Sequence, residues 1–154
     1  MIKETAMKID RRIEIAAGPD RLWTLLTEPA QVKRWIPQLL SDEPEDGSGE
    51  TRVGLRTRMR LREGKKVVEY ATVLTAVEKR AFLEMEMRGG NLGTSPMTVA
   101  YRLLPSSGGT VLVYQAVWRP RELLLTLLSP LIAVFARRSS SSQLRRLKDL
   151  AESA

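Results

Sequence analysis

Cysteine and histidine are both absent from the 154 residues. Without cysteine there is no disulfide framework and no thiolate chemistry, a usage that fits a cytoplasmic protein. Without histidine the commonest general base and the commonest metal ligand are missing. No Ser-His-Asp or Cys-His arrangement can be built, and no zinc or other metal site is expected. Glycine-rich phosphate loops are missing too. Gly89, Gly90 and Gly93 form a hinge or lid candidate, not a nucleotide fingerprint, because no helix follows them. No cofactor is expected. Long hydrophobic runs are scarce: the most apolar stretch covers only 123–135 and contains Pro130, whereas a spanning helix needs about 20 apolar residues. The polar opening at 1–6 is followed by no apolar run, so no secretory signal is expected.

What is present is charge and alternation. Lys and Arg number 25 against 18 Asp and Glu, a formal net charge of +7. That balance favours nucleic acid, anionic membranes or acidic ligands as partners, but composition alone specifies no site. The length predicts one domain over 1–154, large enough for a core without staples. Residues 7–16 alternate, with Ile9, Arg11, Ile13 and Ile15 on one side, as a half-buried strand does. Pro19 and Asp20 then suit a helix start, and Pro29 can begin a second short helix that stops at Pro37.

Five further strands are predicted after a short one at 39–44. Over 51–62, Val53, Leu55, Thr57, Met59 and Leu61 oppose Arg52, Arg56, Arg58, Arg60 and Arg62, giving a core face and an arginine row. Sheets that bind nucleic acid also present aromatic rings for stacking; this face has none, so no nucleic-acid partner is expected. The strand at 66–77 is apolar on both sides, and its inner face stays undecided. At 81–88, Leu83, Met85 and Met87 oppose Glu84 and Glu86, whose carboxylates are expected beside a neighbouring arginine row. Strands at 96–104 and 110–119 follow. A terminal helix completes the chain. Its first half carries Leu124, Leu128, Leu131 and Phe135 at helical spacing, a stripe expected to be buried on the sheet. The second half carries Leu144, Leu147 and Ala151, out of phase with the first, and a bend near Pro130 is expected to reconcile them.

The opening motif resembles a known superfamily. It runs Ile13-Glu-Ile-Ala-Ala-Gly-Pro-Asp-Arg-Leu-Trp23, then Leu26-Thr-Glu-Pro29, then Trp35-Ile-Pro37. It is similar to the start of START-like proteins, also called SRPBCC or helix-grip, which include the major birch pollen allergen. The polyketide cyclase/dehydrase-type branch is the nearest, with Leu22 in place of a usual valine and Glu28 in place of a usual aspartate. The resemblance implies an α+β helix-grip fold: a curved antiparallel sheet of about seven strands around a long C-terminal helix, with two short helices after strand 1.

It also implies a cavity between sheet and C-terminal helix. The residues expected to line it are Trp35, Leu55, Met59, Tyr70, Met85, Met87, Tyr101, Trp118, Leu128, Ile132 and Phe135, since methionine adapts to irregular ligands and tyrosine adds a polar handle. Trp23 is assigned to structure. The first functional expectation is binding or carriage of a hydrophobic small molecule that is lipid-like, quinone or polyketide-like. The second is a cyclase or dehydratase using Tyr70, Tyr101 or Tyr114, assisted by Glu69, Glu84 or Arg102. The third is a basic interaction surface for a membrane or partner protein, with peripheral membrane contact near Arg137 and Arg138. Nothing in the residues indicates an oligomeric state.

Overall fold

The computed structural model describes residues 7–47 and 49–153; the readings made on 1–6, and the turn and tail positions Ser48 and Ala154, lie outside these. The alternating opening forms β1 (Met7–Ile15), which buries Met7, Ile9 and Ile15. Helices α1 (Pro19–Thr27) and α2 (Pro29–Trp35) follow, each with proline in its first turn, where the missing N–H costs nothing. Leu22, Trp23, Leu25 and Leu26 of α1 and Val32 and Trp35 of α2 are buried.

The sheet continues through β2 (Leu39–Pro44), β3 (Arg56–Glu63), β4 (Lys66–Glu78), β5 (Phe82–Gly89), β6 (Met97–Ser106) and β7 (Gly109–Trp118). All pairs are antiparallel, in the order β1-β7-β6-β5-β4-β3-β2. After β7 the chain forms α3 (Leu123–Glu152). This is the expected helix-grip architecture: seven antiparallel strands, two short helices after the first, and a long terminal helix.

Two strand expectations change. The strand predicted from residue 51 begins only at Arg56, and Val53 is 59% exposed. The cause is Gly54 at φ 90, a left-handed conformation that ends the extended run. The Leu55 N–H closes a turn onto the Arg52 carbonyl at 3.1 Å. The arginines of β3 do face outward, but β4 separates them from β5. Glu69 of β4, not Glu84 or Glu86, reaches Arg58, at 3.4 Å. Glu84 instead accepts from Thr75, and Glu86 pairs with Arg88 on its own strand.

The undecided face of β4 resolves around a register shift between Leu74 and Ala76. Before it, Tyr70, Thr72 and Leu74 are buried. After it the phase moves by one, and Val77 packs on the core opposite Leu83. A bulge of this kind switches which parity points inward. No single alternation could describe the strand.

The largest departure is in α3. The stripe expected to be buried is exposed: Leu124 is 67% exposed, Leu131 74% and Phe135 80%. The face turned to the protein is Ser129, Ala133, Ala136, Ser140, Leu144, Leu147 and Ala151. These residues recur every three or four positions, so one straight stripe serves both halves of the helix. The phase difference read from the leucines is resolved by turning the first set outward. The helix is continuous through Pro130. Proline leaves the Thr126 carbonyl without its helical donor, and the buried Ser129 Oγ donates to it at 2.7 Å.

Both ends of α3 are fastened. At the start, Glu122 accepts from the Thr94 N–H at 3.1 Å and the Thr94 hydroxyl at 2.5 Å, bonds that hold its carboxyl below the usual range. At the end, Arg21 of α1 donates to the carbonyls of Leu150, Ala151 and Ser153 at 2.7–2.9 Å. A guanidinium there satisfies carbonyls the helix itself leaves open and faces the negative end of its dipole.

Candidate ligand-binding site

Residues opposite one another in an antiparallel pair point to the same side of the sheet. Asp42 lies opposite Met59, which lies opposite Tyr70; Pro44 lies opposite Thr57, which lies opposite Thr72. Since Met59, Tyr70 and Thr72 are buried, this pairing directs Asp42 and Thr57 inward as well. The result is a small apolar enclosure with a polar strip across its floor.

The cavity lies between the α1–α2 corner and the inner faces of β2 to β5. Leu26, Pro29 and Val32 roof it; Leu55, Met59, Leu74, Leu83 and Met85 form its walls; Asp42, Thr57 and Thr72 supply its polar strip. Its volume is about 90 Å³. Typical small-molecule sites measure roughly 300–1,000 Å³, so this space as it stands admits one ring or one end of a ligand. Gly49 and Thr51, from the β2–β3 connection, close one side.

Asp42 is the unusual group. Burial pushes its carboxyl above the ordinary 3.8, and the Thr57 hydroxyl partly offsets that by hydrogen bonding to it. Its Oδ1 is buried and has no hydrogen-bond partner among the described residues. The Thr57 and Thr72 hydroxyls are 2.5 Å apart. An ionised carboxylate can only accept, so with Asp42 charged the protons must run from Thr72 to Thr57 to Asp42. An orphaned acceptor in an apolar enclosure carries a desolvation cost of order 1–3 kcal/mol, which a ligand donor would relieve. Sequence reading placed Asp42 on a short strand and gave it no role. The available signal was a carboxylate between Leu39 and Pro44 in β2, but its direction depends on the register shift between Leu39 and Ser41.

Of the eleven residues expected to line a cavity, the structure brings Leu55, Met59 and Met85 into this one. The cavity also lies elsewhere than expected: it abuts α1 and α2, and no residue of α3 lines it. The small side chains of the inward α3 stripe leave their apolar neighbours outside and bring the helix close to the body of the fold. Leu128 and Phe135 are accordingly exposed, and Ile132 is half-buried against the core. Met87 is buried in the core opposite Thr72 and does not line the cavity.

The tryptophans and tyrosines act as pegs. Trp35 donates to the Leu25 carbonyl at 2.8 Å, and Trp118 to the Leu92 carbonyl at 3.1 Å. Tyr101 meets Trp35 edge-on and Tyr114 at a tilt, with ring centroids 6.1 and 5.3 Å apart. Burial raises the Tyr101 phenol well above its ordinary value, with Tyr114 adding to the effect, and burial alone pushes Tyr114 up to about 12. Tyr70 turns its hydroxyl to Glu63 at 2.6 Å, and Asn91 donates to the same carboxylate. The Tyr70 ring covers Gly90, where a Cβ would collide with it. The Tyr70 ring therefore fills the space beside Gly90 in the hinge candidate. Glu69 and Arg102 are exposed, Arg102 stacking over Phe82 with 4.4 Å to its centroid. None of the expected assisting groups reaches the cavity.

Comparison with known proteins agrees with this fold. The sequence matches the family described as polyketide cyclase / dehydrase and lipid transport over residues 6–152, and the chain belongs to that family. No curated protein matches it by sequence. Among solved structures, it is similar to a Chromobacterium violaceum protein with a TM-score of 0.75 at 16% identity, covering 96% of this chain and 99% of that one. Ara h 8.0201 superposes with a TM-score of 0.75 at 13% identity, covering 96% and 98%. The di-domain ARO/CYC StfQ from the steffimycin biosynthetic pathway gives 0.76 at 17% identity, covering 96% of this chain and 51% of that one. At these identities the likeness concerns the fold.

Proposed function

We propose that the chain binds a hydrophobic small molecule, one end of which enters the cavity beside Asp42. The observation that carries this reading is the orphaned Asp42 Oδ1 in an otherwise apolar enclosure. A ligand hydroxyl would donate to the ionised carboxylate; a ligand carbonyl would accept from the protonated acid. The remaining walls select only for apolar surface, as suits a lipid-like, quinone or polyketide-like molecule. Family membership supports the same class of ligand.

The test is native mass spectrometry of the purified protein, repeated with Met85→Trp, which fills the cavity. One apolar ligand per chain in the parent and none in Met85→Trp is the expected result. Ligand retained undiminished by Met85→Trp places binding elsewhere and overturns the reading.

A second reading has its own support. A carboxylic acid with a raised pKa in an apolar cavity is suited to moving a proton to or from a bound carbonyl compound. On this reading the chain is a cyclase or dehydratase and Asp42 its acid–base group. Asp42→Asn would then abolish turnover of a poly-β-keto substrate while leaving its binding intact. Turnover unchanged in Asp42→Asn would remove this reading.

A further inference from the structure

The outer face of α3 has no role in the fold. Leu123, Leu127, Leu131 and Phe135 are between 68% and 80% exposed. The most apolar 18-residue window of α3 has a mean hydropathy of 1.3, and only 17% of it is buried. A contiguous apolar patch of this kind marks an interaction surface.

Its charge surroundings are one-sided. Arg119 and Arg121 precede the helix, Arg137 and Arg138 follow the apolar turns, and all four are exposed. No Asp or Glu occurs between Leu123 and Lys148. At about 100° per residue, Arg138 and Arg145 continue the same outer face. Beside it, between β1 and α3, lies an open recess of about 460 Å³ lined by Arg11, Arg137, Arg138 and Arg145, with Val134 and two serines completing the wall. No carboxylate forms an ion pair with the four arginines of the recess among the described residues. The Arg11 Nε is buried without a hydrogen-bond partner.

We propose that α3 docks in the plane of an anionic phospholipid bilayer. Its leucines and phenylalanine enter the acyl boundary, and the arginine recess takes a lipid phosphate. Apolar faces of interfacial helices sink about 5–10 Å, with basic groups at headgroup level. Guanidinium forks match phosphate oxygens in pairs, and the unpartnered Arg11 Nε adds a donor from the strand side. The helix lies flat and does not cross, because its opposite face is packed on the protein through Ser129, Ala133 and Ser140. A second copy of the chain is the poorer occupant. Apposed outer faces would bring arginines together with no acid between Leu123 and Lys148 of either helix to answer them.

The test is co-sedimentation of the full chain with large unilamellar vesicles. One set mixes phosphatidylglycerol and phosphatidylcholine in equal parts; the other is phosphatidylcholine alone. Binding to the anionic set, weakened by salt, is expected. Leu131→Glu should lower partitioning at least about tenfold, the cost of losing one buried leucine. Arg138→Gln should lower it about fivefold, the contribution of one basic residue at an anionic surface. Both sites are exposed, and an unchanged melting temperature would confirm that each variant is folded. Equal binding to both vesicle sets, or binding untouched by both variants, overturns the proposal. So does inorganic phosphate bound in the recess without vesicle binding, or a concentration-dependent dimer that Leu131→Glu abolishes while vesicles stay unbound.

Discussion

The two halves of α3 solve the same packing problem in opposite ways. The second half buries its large residues: Leu144 and Leu147 face the core at 4% and 0% exposure. The first half buries its small ones, Ser129 and Ala133, and leaves Leu131 and Phe135 in solvent. A helix that only had to cover the sheet would have its leucines inward along its whole length. Only the second half has the composition of a core helix. The first half uses small residues to approach the protein closely and turns its hydrophobic surface outward.

That contrast gives an ordered set of consequences. The largest effect is expected where a large side chain is buried. Leu147→Ala should cost about 2–5 kcal/mol of stability, since the site is closed and cannot collapse freely. Leu131→Ala should fall within about 0.5 kcal/mol of the parent, because it removes an exposed side chain. Chemical denaturation of the pair checks both, and similar losses would erase the contrast. Next comes Ala133→Leu, which enlarges the inward stripe and should cost about 1–3 kcal/mol by overpacking. A neutral or stabilising result would mean that the first half of α3 is loosely held.

The smallest effect concerns the cavity that α3 does not reach. Asp42 has a folded pKa above its ordinary 3.8. Its contribution to stability is therefore fully present below that value and lost as pH rises through the raised one. Asp42→Asn removes this dependence. The stability of the variant relative to the parent should rise over the interval above pH 3.8 in which the parent's carboxyl ionises. A difference that is flat across that interval would show that the carboxyl is not desolvated.

Most of the architecture was legible in the sequence because alternation and punctuation agree there. Ile9, Ile13 and Ile15 mark β1, and prolines 19, 29 and 37 bracket the short helices. Leu83, Met85 and Met87 gave the inner face of β5 correctly. Legibility failed where one local irregularity decides the direction of many side chains. Gly54 ends a run that reads as strand from Thr51, and the register shifts in β2 and β4 set the inward parity. The inward direction of Asp42 follows from the first of these shifts.

In α3 the ambiguity has a different source. Hydrophobic spacing identifies an apolar face, but not what that face meets. The alternative stripe was readable: stepping back from Leu147 and Leu144 by helical intervals leads to Ser140, Ala136, Ala133 and Ser129. Small residues carry too weak a periodic signal to compete with five leucines. The apolar enclosure takes its lining from α1, α2 and β2 to β5, and none from α3.

The absence of cysteine provides the most direct measurement. Leu131→Cys and Ala133→Cys each place a single thiol two residues apart on α3. Their rates of modification by a neutral thiol reagent, relative to the unfolded chain, report which side of the helix meets solvent. The account predicts a Leu131→Cys rate close to the unfolded value and an Ala133→Cys rate slower by orders of magnitude. Fast modification at Ala133→Cys with protection at Leu131→Cys would put the leucines inward and contradict the outward apolar face on which the account rests.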